Sequence, residues 1–149
     1  FIFFNFLLAL KQKKTYYYNM PHLQFDINFK ANNKSKKEFL NKVEVIFCNI
    51  MKTGRFHIAI SFRELNNDSI SLGRAKKNEN ICLMNLDIRK GRTQEQKRAL
   101  VVEYINLVNS TFGIKKENQY VTISEHIGED FNLNECCLDD WFKNDNPLN

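Results

Sequence analysis

The sequence predicts an α/β fold: two tandem βαβ units forming a four-stranded, mostly parallel sheet with two helices on one face. Three observations carry this. The body of the chain repeats itself at a shift of 61 residues, each copy holds one apolar stripe of helical period, and each stripe is flanked by short β-rich runs. Strand, helix, strand within one copy is a βαβ unit, whose crossover makes its two strands parallel.

The elements follow in order. The first copy opens with Gln24-Phe25-Asp26-Ile27, inside what reads as a buried strand from His22, and the second opens with Asn85-Leu86-Asp87-Ile88. Next comes a helix with apolar residues at Phe39, Leu40, Val43, Ile46, Phe47 and Met51. At the same shift it is answered by Leu100, Val101, Tyr104, Leu107, Val108 and Phe112. Residues at i, i+1, i+4, i+7 and i+8 make the stripe of a helix lying on a sheet. The helices are expected to start at Ser35 and at Thr93, the second with Gln96 completing a capping box, and to stop at Gly54 and Gly113, where φ > 0 is tolerated. Each copy closes with a strand, Ile58-Ala59-Ile60-Ser61 and Val121-Thr122-Ile123-Ser124.

The domain expected is residues 20–142, with units at 20–65 and 81–125. A connector at 66–80 includes a short strand near Ile70-Ser71-Leu72. A tail at 126–142, with Phe131, Leu133, Leu138 and Trp141, docks on the body or on a neighbour, and 143–149 fray. A mostly parallel sheet is normally covered on both faces, and only two long helices are present, so oligomerisation is expected to cover the second face.

Residues 1–19 stand apart. Their apolar run, Phe1 to Leu10, precedes Lys11, Lys13 and Lys14, the reverse of a secretion signal, and is too short to span a bilayer. They read as a gene-model extension or non-native leader. The leader holds three of the five net positive charges, leaving +2, too little to suggest a nucleic-acid partner. No membrane partner is expected. Cys48, Cys82, Cys136 and Cys137 lack CxxC spacing and read as packed thiols of a reducing cytoplasm. His22, His57 and His126 lack metal-ligand spacing, so neither metal nor cofactor is expected.

The chemistry converges on Met20-Pro21. If translation starts at Met20 and the methionine is removed, Pro21 becomes a secondary amine. Such an amine titrates near ~8 and lower beside cations or when buried, so it can accept a proton at neutral pH. Arg89 and Arg92, three apart at a predicted strand end, can hold a carboxylate through paired hydrogen bonds. Arg74, in the connector, is a third candidate. Glu125, His126, Glu129 and Asp130 are expected to be solvent-facing residues of a tail loop.

Asn85-Leu86-Asp87-Ile88-Arg89-Lys90-Gly91-Arg92-Thr93-Gln94-Glu95-Gln96-Lys97 resembles the start of the short 4-oxalocrotonate tautomerases: a strand ending in Gly-Arg, then Ser or Thr, then Glu-Gln-Lys opening a helix. In those proteins the N-terminal proline stands ten residues before the Arg. That place is held here by Cys82, the repeat partner of Pro21. The start, Met-Pro-His, is also similar to that of 5-carboxymethyl-2-hydroxymuconate isomerase. Met20 to about Trp141 therefore resembles a fused, two-unit member of the tautomerase superfamily, near the cis-3-chloroacrylic acid dehalogenase and malonate semialdehyde decarboxylase groups. The resemblance implies a homotrimer with Pro21 as general base at the floor of a pocket. It implies Arg89 and Arg92 as binders of a small carboxylate substrate, and keto-enol isomerisation of a 2-hydroxy-enoate or 2-oxo acid. The alternatives are a hydratase, dehalogenase or decarboxylase of three-carbon acids, and a trimer that acts by protein binding, as in macrophage migration inhibitory factor. Thr122, Leu133 and Asn49 stand where the dehalogenases carry Tyr, Glu and His, which weighs against hydration.

Overall fold

The computed structural model describes residues 20–56, 58–133 and 136–137. The elements run β1 (His22–Ile27), α1 (Asn33–Met51), β2 (Ala59–Glu64), β3 (Cys82–Arg89), α2 (Gln94–Phe112) and β4 (Gln119–His126). A two-stranded ribbon follows, β5 (Asn132–Leu133) and β6 (Cys136–Cys137). The main sheet has the order β2-β1-β3-β4, parallel within each unit and antiparallel across the central β1/β3 pair. Among the described residues no helix is long and apolar enough to cross a membrane.

The core lies between the sheet and the helix layer. Alternate strand residues Leu23, Phe25, Ile27, Met84, Leu86 and Ile88 meet Phe39, Val43, Phe47 and Met51 of α1 and Leu100, Tyr104 and Val108 of α2, all buried. Phe39 sits at its centre, edge-on to Phe25 and Phe62 and tilted against Phe112. Each fully buried side chain of this size contributes about 1.5–3 kcal/mol.

The second helix keeps its expected ends. Thr93 is the N-cap with a reciprocal box to Gln96, and Gly113, at φ 69°, closes the C-terminus by donating its N–H to the Asn109 carbonyl. The first helix differs at both ends. Its N-cap is Asn32, whose side chain accepts from the Ser35 N–H; the helix starts three residues earlier than expected, and Ser35 is its third residue rather than its cap. Its left-handed C-cap is Lys52 at φ 54°, two residues before Gly54.

Two further expectations are corrected. The connector contains no strand at Ile70-Ser71-Leu72: its donors close successive tight turns, Ser69 to Asn66, Ala75 to Leu72 and Glu79 to Lys76, while Ile70 is buried. The second face of the sheet is more polar than expected. Beside Ala59 of β2, Leu83 of β3 and Tyr120 of β4 it carries His22, Gln24 and Asp26 of β1, Asn85, Asp87 and Arg89 of β3, and Thr122, Ser124 and His126 of β4. With an antiparallel pair at its centre the sheet alternates between an apolar inner face and this mixed outer one. Residues 1–19, with Leu138, Trp141 and 143–149, lie outside the described residues.

Candidate functional site

The register of the central pair makes the site. β1 and β3 run antiparallel with His22 opposite Asp87, so the start of β1 lies beside the end of β3 and Pro21 comes alongside Ile88, one residue from Arg89. Neighbouring strands stand about 4.8 Å apart. Pro21 is buried, and its carbonyl accepts the Ala59 N–H at 3.0 Å, which opens the parallel β1/β2 ladder. The C-terminus of α1, the loop from Lys90 to Thr93 and the N-terminus of α2 meet at this same end of the sheet.

Arg89 is half-buried on the polar face, at the register position facing His126. The Lys90 N–H donates to the His126 carbonyl at 2.8 Å, and Gly91 turns the chain at φ 99°. Arg92, also half-buried, donates from Nη1 to the Met51 carbonyl at 3.1 Å. Arg92 thus leans on the last turn of α1 while Arg89 belongs to the sheet face. Glu95, a possible surface partner for the arginines, is held below the ordinary carboxylate range by its own backbone N–H at the helix start and by Thr93.

Arg74 is not brought to this end within one chain. It is exposed in the turn between Leu72 and Ala75, and the connector leaves β2 at Glu64 and enters β3 at Cys82, both at the opposite end of the sheet. A cavity of about 300 Å³ lies there, lined by Asn28, Asp68, Ser71, Lys77 and Ile81 among others. By the repeat it is the counterpart of the Pro21 end, with Cys82 in place of Pro21 and Asn28 in place of Arg89. There burial pushes the Cys82 thiol up to about 12, and the Asn28 amide is engaged by Asn67, the Glu79 carbonyl and the Ile81 N–H.

Sequence reasoning missed one row of side chains. His126 and Glu125 belong to β4, not to a tail loop: Glu125 pairs with Lys97 at 3.0 Å, and His126 Nε2 lies 3.1 Å from Asp87 Oδ1. Asp87 Oδ2 lies 3.9 Å from His22 Nδ1, and His22 Nε2 lies 3.0 Å from Ser61 Oγ, so the row crosses all four strands. Its signal was the period-2 alternation Asn85, Asp87, Arg89, legible only once β4 and β1 are placed on either side. Glu129 and Asp130 sit in a short 3₁₀ turn, with Asp130 Oδ2 3.9 Å from His126 Nδ1. Phe131 packs edge-on against the His126 ring. Among the described residues no group of three His, Cys, Asp or Glu side chains is arranged to hold a metal.

Comparison with known proteins gives the same fold. Residues 83–133 match a family model described as tautomerase enzyme. A fused 4-oxalocrotonate tautomerase, solved as an asymmetric trimer, is 17% identical with a TM-score of 0.71, covering 82% of this chain and 99% of that one. The macrophage migration inhibitory factor-like protein of Entamoeba histolytica is 16% identical with a TM-score of 0.67, covering 79% and 98%. A member of the cis-3-chloroacrylic acid dehalogenase family is 19% identical with a TM-score of 0.67, covering 80% and 90%. No curated protein sequence matches the chain.

Proposed function

For a chain with the fold of the fused, two-unit tautomerase superfamily members, and with a tautomerase unit at residues 83–133, we propose keto-enol isomerisation of a small 2-hydroxy-enoate or 2-oxo acid. The observation that carries this reading is the β1/β3 register, which brings Pro21 of the first unit to the Arg89 end of the second.

In this reading the working chain starts at Pro21. Its uncharged nitrogen takes a proton from the substrate's enol oxygen or from carbon and returns it to another carbon, so no atom or electron is gained or lost overall. Arg89 receives the substrate carboxylate and stabilises the enolate charge as it develops, and Arg92 stands behind it from the loop. Burial of Pro21 supports the reading, since it disfavours the protonated amine. The assembly proposed is a homotrimer, as in the fused 4-oxalocrotonate tautomerase structures, and the setting proposed is the reducing cytoplasm, where Cys48 and Cys82 stay free thiols.

The test is ketonisation of phenylenolpyruvate by protein started at Met20, with exposure of Pro21 verified by mass. Turnover should fall by roughly 10²-fold or more in Pro21→Ala, the scale of a lost general base. Arg89→Ala should raise KM. Activity that is unchanged in Pro21→Ala sinks the mechanism. A proline-started protein without turnover that captures a defined protein partner would favour the binding role of macrophage migration inhibitory factor.

A further inference from the structure

We infer that Gln96 is a positioning residue for the arginine loop: it ties the segment carrying Arg89 and Arg92 to the C-terminus of α1, so that the two units hold one carboxylate subsite. The inference rests on the isomerase reading above and concerns how its cations are held.

The proposed site draws its base from the first unit and its cations from the second. In the sheet the two are joined by the β1/β3 ladder. In the helix layer the four-residue loop is held at its start by the Lys90 N–H on the His126 carbonyl and from its middle by Arg92 on the Met51 carbonyl, and it gains a further tie to α1 at its end. Gln96 supplies it. Its Oε1 accepts the Thr93 N–H at 3.0 Å, its own N–H donates to Thr93 Oγ1 at 3.1 Å, and its Nε2 donates to the Ile50 carbonyl at 3.0 Å. One side chain therefore closes the N-terminus of α2 and fills an acceptor in the last turn of α1, a turn with no basic side chain of its own. Arg92 reaches the next carbonyl, Met51.

The internal repeat provides the control. At a shift of 61 the partners of Arg92 and Gln96 are Ala31 and Ser35. Neither is long enough to cross to the other helix, and α1 is capped by Asn32 without a reciprocal box. Among the described residues the Gln96 tie thus has no repeat counterpart at the other end, which general helix capping would not require.

Gln96→Glu separates the two jobs. A carboxylate still accepts the Thr93 N–H and suits a helix N-terminus, but it cannot donate to the Ile50 carbonyl. In proline-started protein the melting temperature should fall by no more than the few degrees of one lost hydrogen bond, while KM for the enol acid rises roughly 3- to 10-fold and kcat stays within about twofold. Gln96→Met, which keeps length and helix propensity but neither bond, should raise KM at least as much, and it serves if the charged variant is unstable. Ser35→Gln, at the other end of the repeat, should leave KM unchanged. A wild-type KM in both Gln96 variants, or a loss confined to kcat, overturns the inference while Arg89→Ala still raises KM. If Arg89→Ala itself has no effect, the carboxylate reading fails, and the inference with it.

Discussion

Tyr104→Phe should destabilise the protein by about 1 kcal/mol without altering its fold, and the structure sets that size. Tyr104 is fully buried in the middle of α2, and its hydroxyl donates to the Val43 carbonyl of α1 at 3.1 Å. Val43 is the residue that occupies the equivalent place in the first unit, so this bond joins the two halves at their pseudo-symmetric centre. A net protein hydrogen bond is worth about 0.5–1.5 kcal/mol. Leaving a void of order 10 Å³ where the oxygen stood adds about 0.2 kcal/mol. The Val43 carbonyl keeps its partner within α1, so no buried acceptor is orphaned and the larger penalty for an unsatisfied group does not arise. For a domain of this size the change corresponds to a melting temperature lower by about 3–6 °C. The assay is urea and thermal unfolding of the two proteins side by side, with the urea slope unchanged. A loss below about 0.3 kcal/mol would mean that the hydroxyl is not bonded in the folded protein. A loss above about 3 kcal/mol would mean that the helix interface collapses around it. The same burial pushes the Tyr104 phenol far above the ordinary range, so it should ionise only when the protein unfolds.

Two other outcomes follow from named contacts. Glu64 is lowered to about 2 by Lys36 and the Ala31 N–H, and Glu79 to about 2 by Lys115 and Asn118. Because folding depresses both carboxyls, their stabilisation is present above the ordinary value of 4.5 and is lost as the pH falls through about 2. A Glu64→Gln, Glu79→Gln protein should therefore show a shallower fall of urea midpoint between pH 5 and pH 2 than the wild type, and parallel curves would count against both contacts. Cys82, fully buried with its thiol pushed up to about 12, should resist iodoacetamide at pH 8 until the protein unfolds, as followed by peptide mass mapping; rapid alkylation of the native protein would contradict its burial.

What the sequence determined by itself was everything governed by local periodicity. Two apolar stripes of helical period lie where α1 and α2 lie, because a helix must place its apolar residues on one face to be buried. Thr93 and Gly113 were readable as ends because their side chain and backbone freedom act within four residues. Asn32 was missed for a related reason: Asn and Ser are both good N-caps, three residues apart here, and the extended backbone at Asn32, φ −71° and ψ 150°, decides between them. Pro21, Arg89 and Arg92 stood out in the sequence through the motif they complete, and the role given to them is the one proposed above.

Tertiary structure alone decided how these pieces face each other. Nothing local states that the two units meet through an antiparallel β1/β3 pair, yet that pairing brings Pro21 to Arg89, leaves Arg74 at the far end and turns His22, Asp87 and His126 into one row. It also accounts for a second face of mixed polarity where an apolar one was expected. This strand pairing joins residues about sixty positions apart by backbone hydrogen bonds that every sequence possesses, so its direction and register are chosen by the packed core as a whole.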